Sequence, residues 1–466
     1  MSGIEYRKLD WILISLYLAL VVFGWMNIYS SSYQDDVSFF SLSTKYGMHL
    51  IWIATAFFLA AIILFSIPSN IYTSIALPLY ILFALLLIAV AFVGVEINGS
   101  RSWFALGPFR LQPAEFSKLA TSLLIASLLG HYDFSFTKPK CVARAVAVIL
   151  LPILFILMEK ETGSALVYLG FLLVYFREGM NGWILIFGLL SILLFIVTLI
   201  CSPAVAVTVL AGIIFILTIL YYRKRWLWAA IGTASVTALA FLSRIPSPET
   251  LDTCITLTVP IALAASLILA FKKKKMGRNL LWGYVCGVCL IMSVQFIYSK
   301  VLQDHQRARI EVLLGVRDDP QGVGYNVHQS LIAIGSGGLT GKGYMNGTQT
   351  HYDFVPEQST DFIFCTVGEE WGFVGSIAVL ACYLAMILHL MNSAEKQNDR
   401  FTRIYGYCTA SCLLMHVIIN VNMTIGLMPV IGIPLPFLSY GGSSLWAFTL
   451  LLFIYIKLDY DHKINR

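Results

Sequence analysis

Apolar runs of about twenty residues recur along almost the whole chain, separated mostly by short polar connections. A helix needs roughly 20 apolar residues to cross the hydrocarbon core of a bilayer. The pattern predicts fourteen spans, at residues 11–29, 47–66, 72–94, 114–130, 142–158, 163–177, 182–200, 203–222, 226–243, 252–271, 279–299, 361–391, 403–424 and 436–457. The runs are too long and too continuously apolar for barrel strands. We therefore predict an all-α fold, a polytopic bundle of membrane helices.

The composition agrees with a protein embedded in lipid. Of 466 residues, 58% are apolar and only 12% are charged, whereas soluble domains carry about 25% charged residues. In hydrocarbon only helices and closed barrels satisfy every backbone polar group. We expect membrane lipids to surround the protein, and we expect no nucleic-acid partner.

Basic residues indicate the orientation. Lysine and arginine are concentrated in alternate connections, for example at residues 138–144, 223–225 and 272–278. Short loops rich in these residues remain on the cytoplasmic side. The pattern places both termini in the cytoplasm and the polar segment at residues 300–360 outside.

This outer segment combines acids, amides, histidine, arginine and many glycines, which a simple membrane anchor does not need. Arginine and lysine together with glycine N–H groups suit a phosphate-bearing ligand. Asp319 follows Arg317 and Asp318 and precedes a proline. Acids at a turn usually form the turn itself, but an acid placed there also suits a general base for an alcohol. The residues alone leave both interpretations open.

A second polar motif precedes the fourth predicted span. Glu115 and Lys118 are three residues apart, so they share one helix face. They either form a pair that reaches water at the membrane surface or line a binding cavity. Arg101 and Arg110 upstream favour an anion site.

Two further segments carry features that a simple span does not need. Glu159, Lys160 and Glu161 lie in a very short outside turn, where they are either solvated or directed in part into a cavity. Residues 425–444 contain three prolines and several glycines. Broken backbone of this kind is tolerated only where protein packs around it or it faces water.

Four of these segments resemble one bacterial family. They read NGSRSWFALGPFRLQPAEFSKLA, LQDHQRARIEVLLGVRDDPQGVGYNVHQSLIAIGSGGLTGKG, GTQTHYDFVPEQSTDFIF followed by VGEEWG, and GLMPVIGIPLPFLSYGGSS. In this order they resemble the SEDS family (shape, elongation, division and sporulation), and within it the RodA branch.

The resemblance implies a peptidoglycan glycosyltransferase that polymerises lipid II at the outer face of the bacterial inner membrane, for elongation and cell shape. It implies that Asp319 is the essential catalytic acid. Arg101, Glu115 and Lys118 match the family's polar cavity. It also implies a class B penicillin-binding protein as transpeptidase partner, and a divalent cation, Mg²⁺ or Mn²⁺, at an unknown site.

We assign seven further residues to substrate binding, namely Glu161, Gln306, Arg307, Arg309, Gln329, Lys342 and Glu357. At the position of Glu161 the family usually has aspartate, so the acid is retained with a side chain one methylene longer.

The family usually has ten spans, so four of the predicted spans form an insertion. We predict three regions: a first membrane core at residues 1–178 with an outer loop at 95–113, inserted helices at 179–278, and a second core at 279–466 with the catalytic loop at 300–360. The insertion has no assigned function.

Other functions fit parts of this pattern. A flippase or transporter of lipid-linked precursors would also use intramembrane charges and broken helices. A scaffold without catalytic activity, or a transferase similar to O-antigen ligases, are further alternatives. Only a transferase needs an acid at Asp319 for its chemistry.

Overall fold

The computed structural model describes residues 8–33, 41, 43–97, 99–106, 109–200, 203, 205–207, 209–210, 212–213, 274–296, 298, 307, 311, 324–352 and 354–464. The chain divides into two compact units, one formed by Met1–Met180 with Asp319–Arg466 and the other by Asn181–Asp318. The predicted division into three regions remains a prediction.

The first unit begins with seven helices. They are α1 (Trp11–Ser31), α2 (Lys45–Phe65), α3 (Asn70–Val93), α4 (Pro113–Gly130), α5 (Pro139–Met158), α6 (Thr162–Val167) and α7 (Phe171–Arg177), the last two joined by a 3-10 turn at Tyr168–Gly170. The second unit contributes α8 (Trp183–Ile200) and α9 (Lys274–Phe296). The first unit then continues with α10 (Tyr325–Ser336), α11 (Thr348–His351), α12 (Ile363–Glu395), α13 (Arg400–Thr424) and α14 (Gly442–Ile464).

Seven helices in the described part of the chain are long and apolar enough to cross a membrane, namely α1, α2, α3, α5, α12, α13 and α14. The protein is therefore a helical integral membrane protein. The predicted spans at 226–243 and 252–271, and most of 203–222, lie outside the described residues. The total of fourteen spans remains a prediction.

The outer loop after α3 forms a small sheet that the apolar pattern did not predict. Strands β1 (Val95–Ile97), β2 (Ser100–Leu106) and β3 (Phe109–Leu111) pair antiparallel in the order β1-β2-β3. The N–H of Arg101 donates to the carbonyl of Glu159 at 3.1 Å. This bond ties the sheet to the turn after α5.

Helices α4 and α13 form the centre of the first unit. Residues 113–123 of α4 are buried at every position, and α13 buries small or polar residues such as Thr409, Ser411 and Asn420. Helix α3, by contrast, exposes many of its large apolar side chains. Lipid is as apolar as these side chains, so the less apolar helices occupy the interior.

Two breaks in regular helix lie in this unit. At Gly372, inside α12, φ is 65° and ψ is −159°, a conformation open mainly to glycine. A Cβ atom there would lie 2.3 Å from the backbone nitrogen of Gly341, so glycine also permits the close approach of that loop.

The second break is the segment at residues 425–441, named here the broken segment, between α13 and α14. Several of its polar groups are hydrogen-bonded within the protein. Asn420 donates to the carbonyl of Ile433 at 2.7 Å, and the Ser439 hydroxyl donates to the carbonyl of Thr360 at 2.6 Å. Such bonds are what irregular backbone requires at membrane depth. They also explain why α14 begins at Gly442, six residues after the predicted start.

Candidate functional site

The first two turns of α4 hold a buried ion pair. The Lys118 Nζ lies 2.7 Å from Glu115 Oε1, and the two side chains are only 3% and 1% exposed. Pro113 opens the helix, so both residues lie in its first two turns. The pair is therefore buried and does not reach water as an interfacial pair would. A role in a binding cavity remains a prediction. Removing one partner of a buried pair strands the other charge and is costly.

His416 is a second hydrogen-bond partner of Lys118, and it was not among the residues predicted from the sequence. Its Nε2 lies 2.7 Å from Lys118 Nζ, and its Nδ1 lies 3.2 Å from the carbonyl of Pro434. A carbonyl only accepts, so Nδ1 carries the proton and Nε2 accepts from the ammonium. An ionisable residue inside the predicted span at 403–424 was the available signal.

Glu161 lies in the turn between α5 and α6 and is also buried. Its Oε1 accepts from Gln112 Nε2 at 2.7 Å and from the hydroxyl of Ser164. Burial raises the pKa of Glu161, the Glu115 charge adds to this, and the two hydrogen bonds and Lys118 oppose it. The Glu161 carboxyl is therefore buried and is not a solvated turn charge. Its contribution to a shared cavity remains a prediction.

Close packing brings this turn against the broken segment. A Cβ atom on Gly163 would lie 2.8 Å from the Ile433 side chain and 2.9 Å from the carbonyl of Ile431. Only glycine allows that approach without displacing the neighbours. The turn and the broken segment therefore form one wall of the site.

Glu159, two residues before Glu161, is a buried acid that was not among the predicted substrate-binding residues. It is 1% exposed, and neither carboxyl oxygen has a hydrogen-bond partner among the described residues. Burial raises the pKa of Glu159 to about 9, and the charge of Glu161 adds to this. At neutral pH this carboxyl is protonated.

Asp361 lies just before α12 and approaches the same site. Its backbone carbonyl accepts from Asn420 at 2.7 Å, and a Cβ atom on Gly432 would lie 3.2 Å from its Oδ2. Burial raises the pKa of Asp361 to about 7, with contributions from Glu357 and Glu161. This carboxyl therefore titrates near neutrality.

These segments together form one site, called here the buried polar cluster, which comprises the buried Glu115, Lys118, Glu161 and His416 and the partly exposed Asp361. Charges in such a low-dielectric site interact strongly. The cluster can hold and exchange protons and can present one ammonium to a bound ligand.

Two predicted site residues lie elsewhere. Arg101 is exposed on β2 and its Nε pairs with Glu96 Oε2 at 3.2 Å, so it is not part of the buried polar cluster. Lys342 donates to Glu369 Oε1 at 2.7 Å, where it holds the loop before α11 against α12. The structure thus gives Lys342 an anchoring contact.

The remaining predicted site residues are at least partly exposed, lie in the second unit or fall outside the described residues. Glu357 is exposed and accepts from Thr360 Oγ1 at 3.0 Å. Gln329 is partly exposed on α10. In the second unit the Arg307 guanidinium lies over the Tyr298 ring, 5.9 Å from its centroid. Three predicted residues lie outside the described residues, namely Gln306, Arg309 and Asp319.

The described residues contain no group of three or more histidine, cysteine, aspartate or glutamate side chains that would hold a metal ion. Asp319 and its neighbours are not among them. The divalent cation thus remains a prediction.

The described part of the chain combines seven helices apolar and long enough to cross a membrane with buried charged groups in its interior. These features define the general class, an integral membrane protein with a buried polar site. The family described as "Cell cycle protein", which includes FtsW, RodA and SpoVE, matches residues 10–226 and 261–464. The chain belongs to this family. Residues 227–260, inside the predicted insertion, are not matched.

Two relatives are similar over nearly the whole chain. The peptidoglycan glycosyltransferase RodA of Treponema pallidum is 32% identical, covering 94% of this chain and 94% of its own length. The peptidoglycan glycosyltransferase MrdB of Escherichia coli K12 is 30% identical, covering 94% of this chain and 90% of its own length.

Solved structures share the fold. One is a chain from a peptidoglycan synthase complex that is described as coordinating polymerization and crosslinking. It has a TM-score of 0.63 and 24% identity, covering 97% of this chain and 98% of its own length. The rod shape determining protein RodA of Thermus thermophilus has a TM-score of 0.54, with 23% identity over 98% of this chain and 99% of its own.

Proposed function

We propose that this chain is a peptidoglycan glycosyltransferase that polymerises lipid II into glycan strands for elongation and cell shape. The observation that carries the proposal is the buried polar cluster, which unites the segments around Glu115, Glu161 and Asp361. Buried charges of this kind are costly, and they persist at membrane depth where they act on a ligand. The full-length similarity to RodA and MrdB supports the reaction class.

In the proposed reaction Asp319 is the general base. It removes the proton from the 4-hydroxyl of the acceptor sugar, and that oxygen bonds to the anomeric carbon of the donor chain. The bond from this carbon to the diphosphate oxygen breaks with inversion, and undecaprenyl pyrophosphate leaves. The proton remains on Asp319 until it passes to water.

The leaving diphosphate needs positive charge nearby. Lys118 is mostly neutralised by Glu115 at 2.7 Å, so the pair orients groups rather than supplying net charge. Arg101, Arg307 and Arg309 are the further cations of the proposal. A divalent ion, Mg²⁺ or Mn²⁺, would supply additional charge to the diphosphate.

Orientation and partners complete the proposal. The distribution of basic residues supports cytoplasmic termini, with residues 300–360 at the outer face of the inner membrane. A class B penicillin-binding protein is the proposed transpeptidase partner, because a neighbour of the same fold was solved in a complex that polymerises and crosslinks.

The test is glycan polymerisation from purified lipid II in detergent, with and without a class B penicillin-binding protein. We expect polymer from wild type, and a loss of at least about 100-fold for Asp319→Asn, the scale of a general base. Asp318→Asn is the matched control and should retain activity. Removing divalent ions with EDTA should lower the rate, and adding Mg²⁺ or Mn²⁺ should restore it.

Equal polymer from wild type and Asp319→Asn would contradict the role of Asp319. Wild type that forms no polymer, even with partner and cation, would contradict the transferase proposal. A flippase would instead move lipid-linked precursors equally well with either residue at position 319.

A further inference from the structure

His416 links the ion pair of α4 to the broken segment. The imidazole is fully buried. One ring nitrogen lies 2.7 Å from the Lys118 ammonium and the other lies 3.2 Å from the carbonyl of Pro434. The ammonium is therefore held on one side by Glu115 and on another by a histidine whose orientation depends on the backbone at Pro434.

The direction of these hydrogen bonds is determined by the partners. The Pro434 carbonyl needs a donor, and the ammonium needs an acceptor. One neutral tautomer satisfies both, with the proton on Nδ1. The opposite tautomer, or the doubly protonated ring, would place an N–H against the ammonium. The site thus requires neutral His416 next to a charged Lys118.

The ammonium has three N–H bonds, and its hydrogen-bond partners within the described residues are Glu115 and His416. One N–H therefore remains for a ligand oxygen. The Phe448 ring, with its centroid 5.5 Å from Nζ, covers part of the surroundings. Two fixed contacts determine the direction of the third N–H.

We propose that His416 is a positioning residue for the transfer reaction. It orients Lys118 so that the third N–H of the ammonium points at a substrate oxygen. This orientation depends on the broken segment, because the Pro434 carbonyl holds the His416 ring. The inference rests on the proposed function. A buried histidine that serves only to fill the core is the alternative, and it predicts effects on stability alone.

Two substitutions of similar shape separate these roles. The amide of glutamine in His416→Gln reaches about the place of Nε2, and its oxygen accepts from Lys118. The shorter amide in His416→Asn reaches about the place of Nδ1, so it donates to Pro434 but does not reach the ammonium. Both variants lose the ring contact with Phe448, whose centroid lies 4.7 Å from that of His416.

We expect His416→Asn to lower kcat for lipid II polymerisation by about tenfold or more, the scale of one hydrogen bond to a charged group. KM should change by less than about twofold, because positioning in the transition state alters kcat rather than uniform binding. His416→Gln should stay within about threefold of wild type. The two variants should have similar apparent Tm values.

A double-mutant cycle adds a second readout. In a Glu115→Met background the ammonium has no acceptor on its other side, so His416→Asn should cost much less than in wild type. Additive losses would overturn the inference, as would His416→Asn with wild-type kcat. Equal losses in the Asn and Gln variants, in proportion to a lower Tm, would also overturn it. Absence of polymer from wild type would instead overturn the proposed function.

Discussion

At the scale of single residues, the turn after α5 holds a buried carboxyl, Glu159, whose pKa is strongly raised. Glu159 has no hydrogen-bond partner on either oxygen within the described residues, and its pKa is raised to about 9. Between the ordinary pKa of a glutamate and about 9, the folded protein binds a proton that the unfolded chain has released. Stability therefore falls as pH rises through this window.

This predicts that Glu159→Gln stabilises the protein at pH 8 and has little effect near pH 5. The glutamine amide has the same shape as the protonated carboxyl and does not titrate. The variant therefore avoids the loss of folding stability with rising pH, which is at most about 1.4 kcal/mol per pH unit for one proton. Thermal unfolding in detergent from pH 5 to 9 measures this, with the exposed Asp133→Asn as control. Curves for wild type and Glu159→Gln that stay parallel across this range would refute the pKa assignment.

Part of the site could be predicted at this scale and part could not. The three-residue spacing of Glu115 and Lys118 predicts their shared helix face, whereas the short turn leaves open whether its acids, such as Glu161, are solvated or buried. His416 and Asp361 reach the site only through tertiary packing across hundreds of residues. A single sequence can mark a histidine inside a span as a candidate, but it does not show which distant residues that side chain contacts.

At the scale of elements, the apolar pattern predicts helices well where their ends coincide with the end of an apolar run. The ends of α1 to α5 lie within three residues of the predictions, for example at Trp11–Ser31 and Asn70–Val93. The pattern misses the sheet formed by β1 to β3, because its strands are short and lie in a polar loop. It also misplaces the start of α14, where packing keeps apolar residues non-helical.

Glu369 on α12 anchors the loop around α11, and this contact gives a testable prediction. Glu369 is fully buried and accepts from Lys342 and from the backbone N–H groups of Gln349 and Thr350. It therefore fixes the loop before α11. Glu369→Gln should destabilise the protein by about 2 kcal/mol, the scale of hydrogen bonds lost at a charged group.

The adjacent Glu370→Gln is the matched control for this change. Glu370 accepts from Ser30 but leaves its Oε2 without a partner in the described part of the chain, so its substitution should cost less. Thermal unfolding and limited proteolysis at residues 337–351 report both effects. Equal unfolding temperatures and equal cleavage in the two variants would contradict the anchoring role of Glu369.

At the scale of the whole molecule, composition alone establishes a membrane protein, and the family explains its organisation. The family match omits residues 227–260, which lie inside the region predicted as an insertion from span counting. The central position of α4 and α13 follows from their small and polar residues, which bury poorly in lipid but pack closely against other helices. The number of spans and the boundaries of the insertion remain predictions.

The measurement that tests the central claim most directly is the polymerisation rate of purified Lys118→Met with lipid II. If glycan transfer takes place at the buried polar cluster, this variant should lose about 100-fold in rate. Arg177→Gln, which removes an exposed ion pair with Glu395 at the end of α7, should retain wild-type activity.

Folding is controlled by comparing apparent Tm values and by the double variant Glu115→Gln with Lys118→Met, which leaves no stranded charge. The account predicts that this folded double variant is also inactive. Polymerisation by folded Lys118→Met at the wild-type rate would contradict it, because the transfer would then not depend on the buried polar cluster.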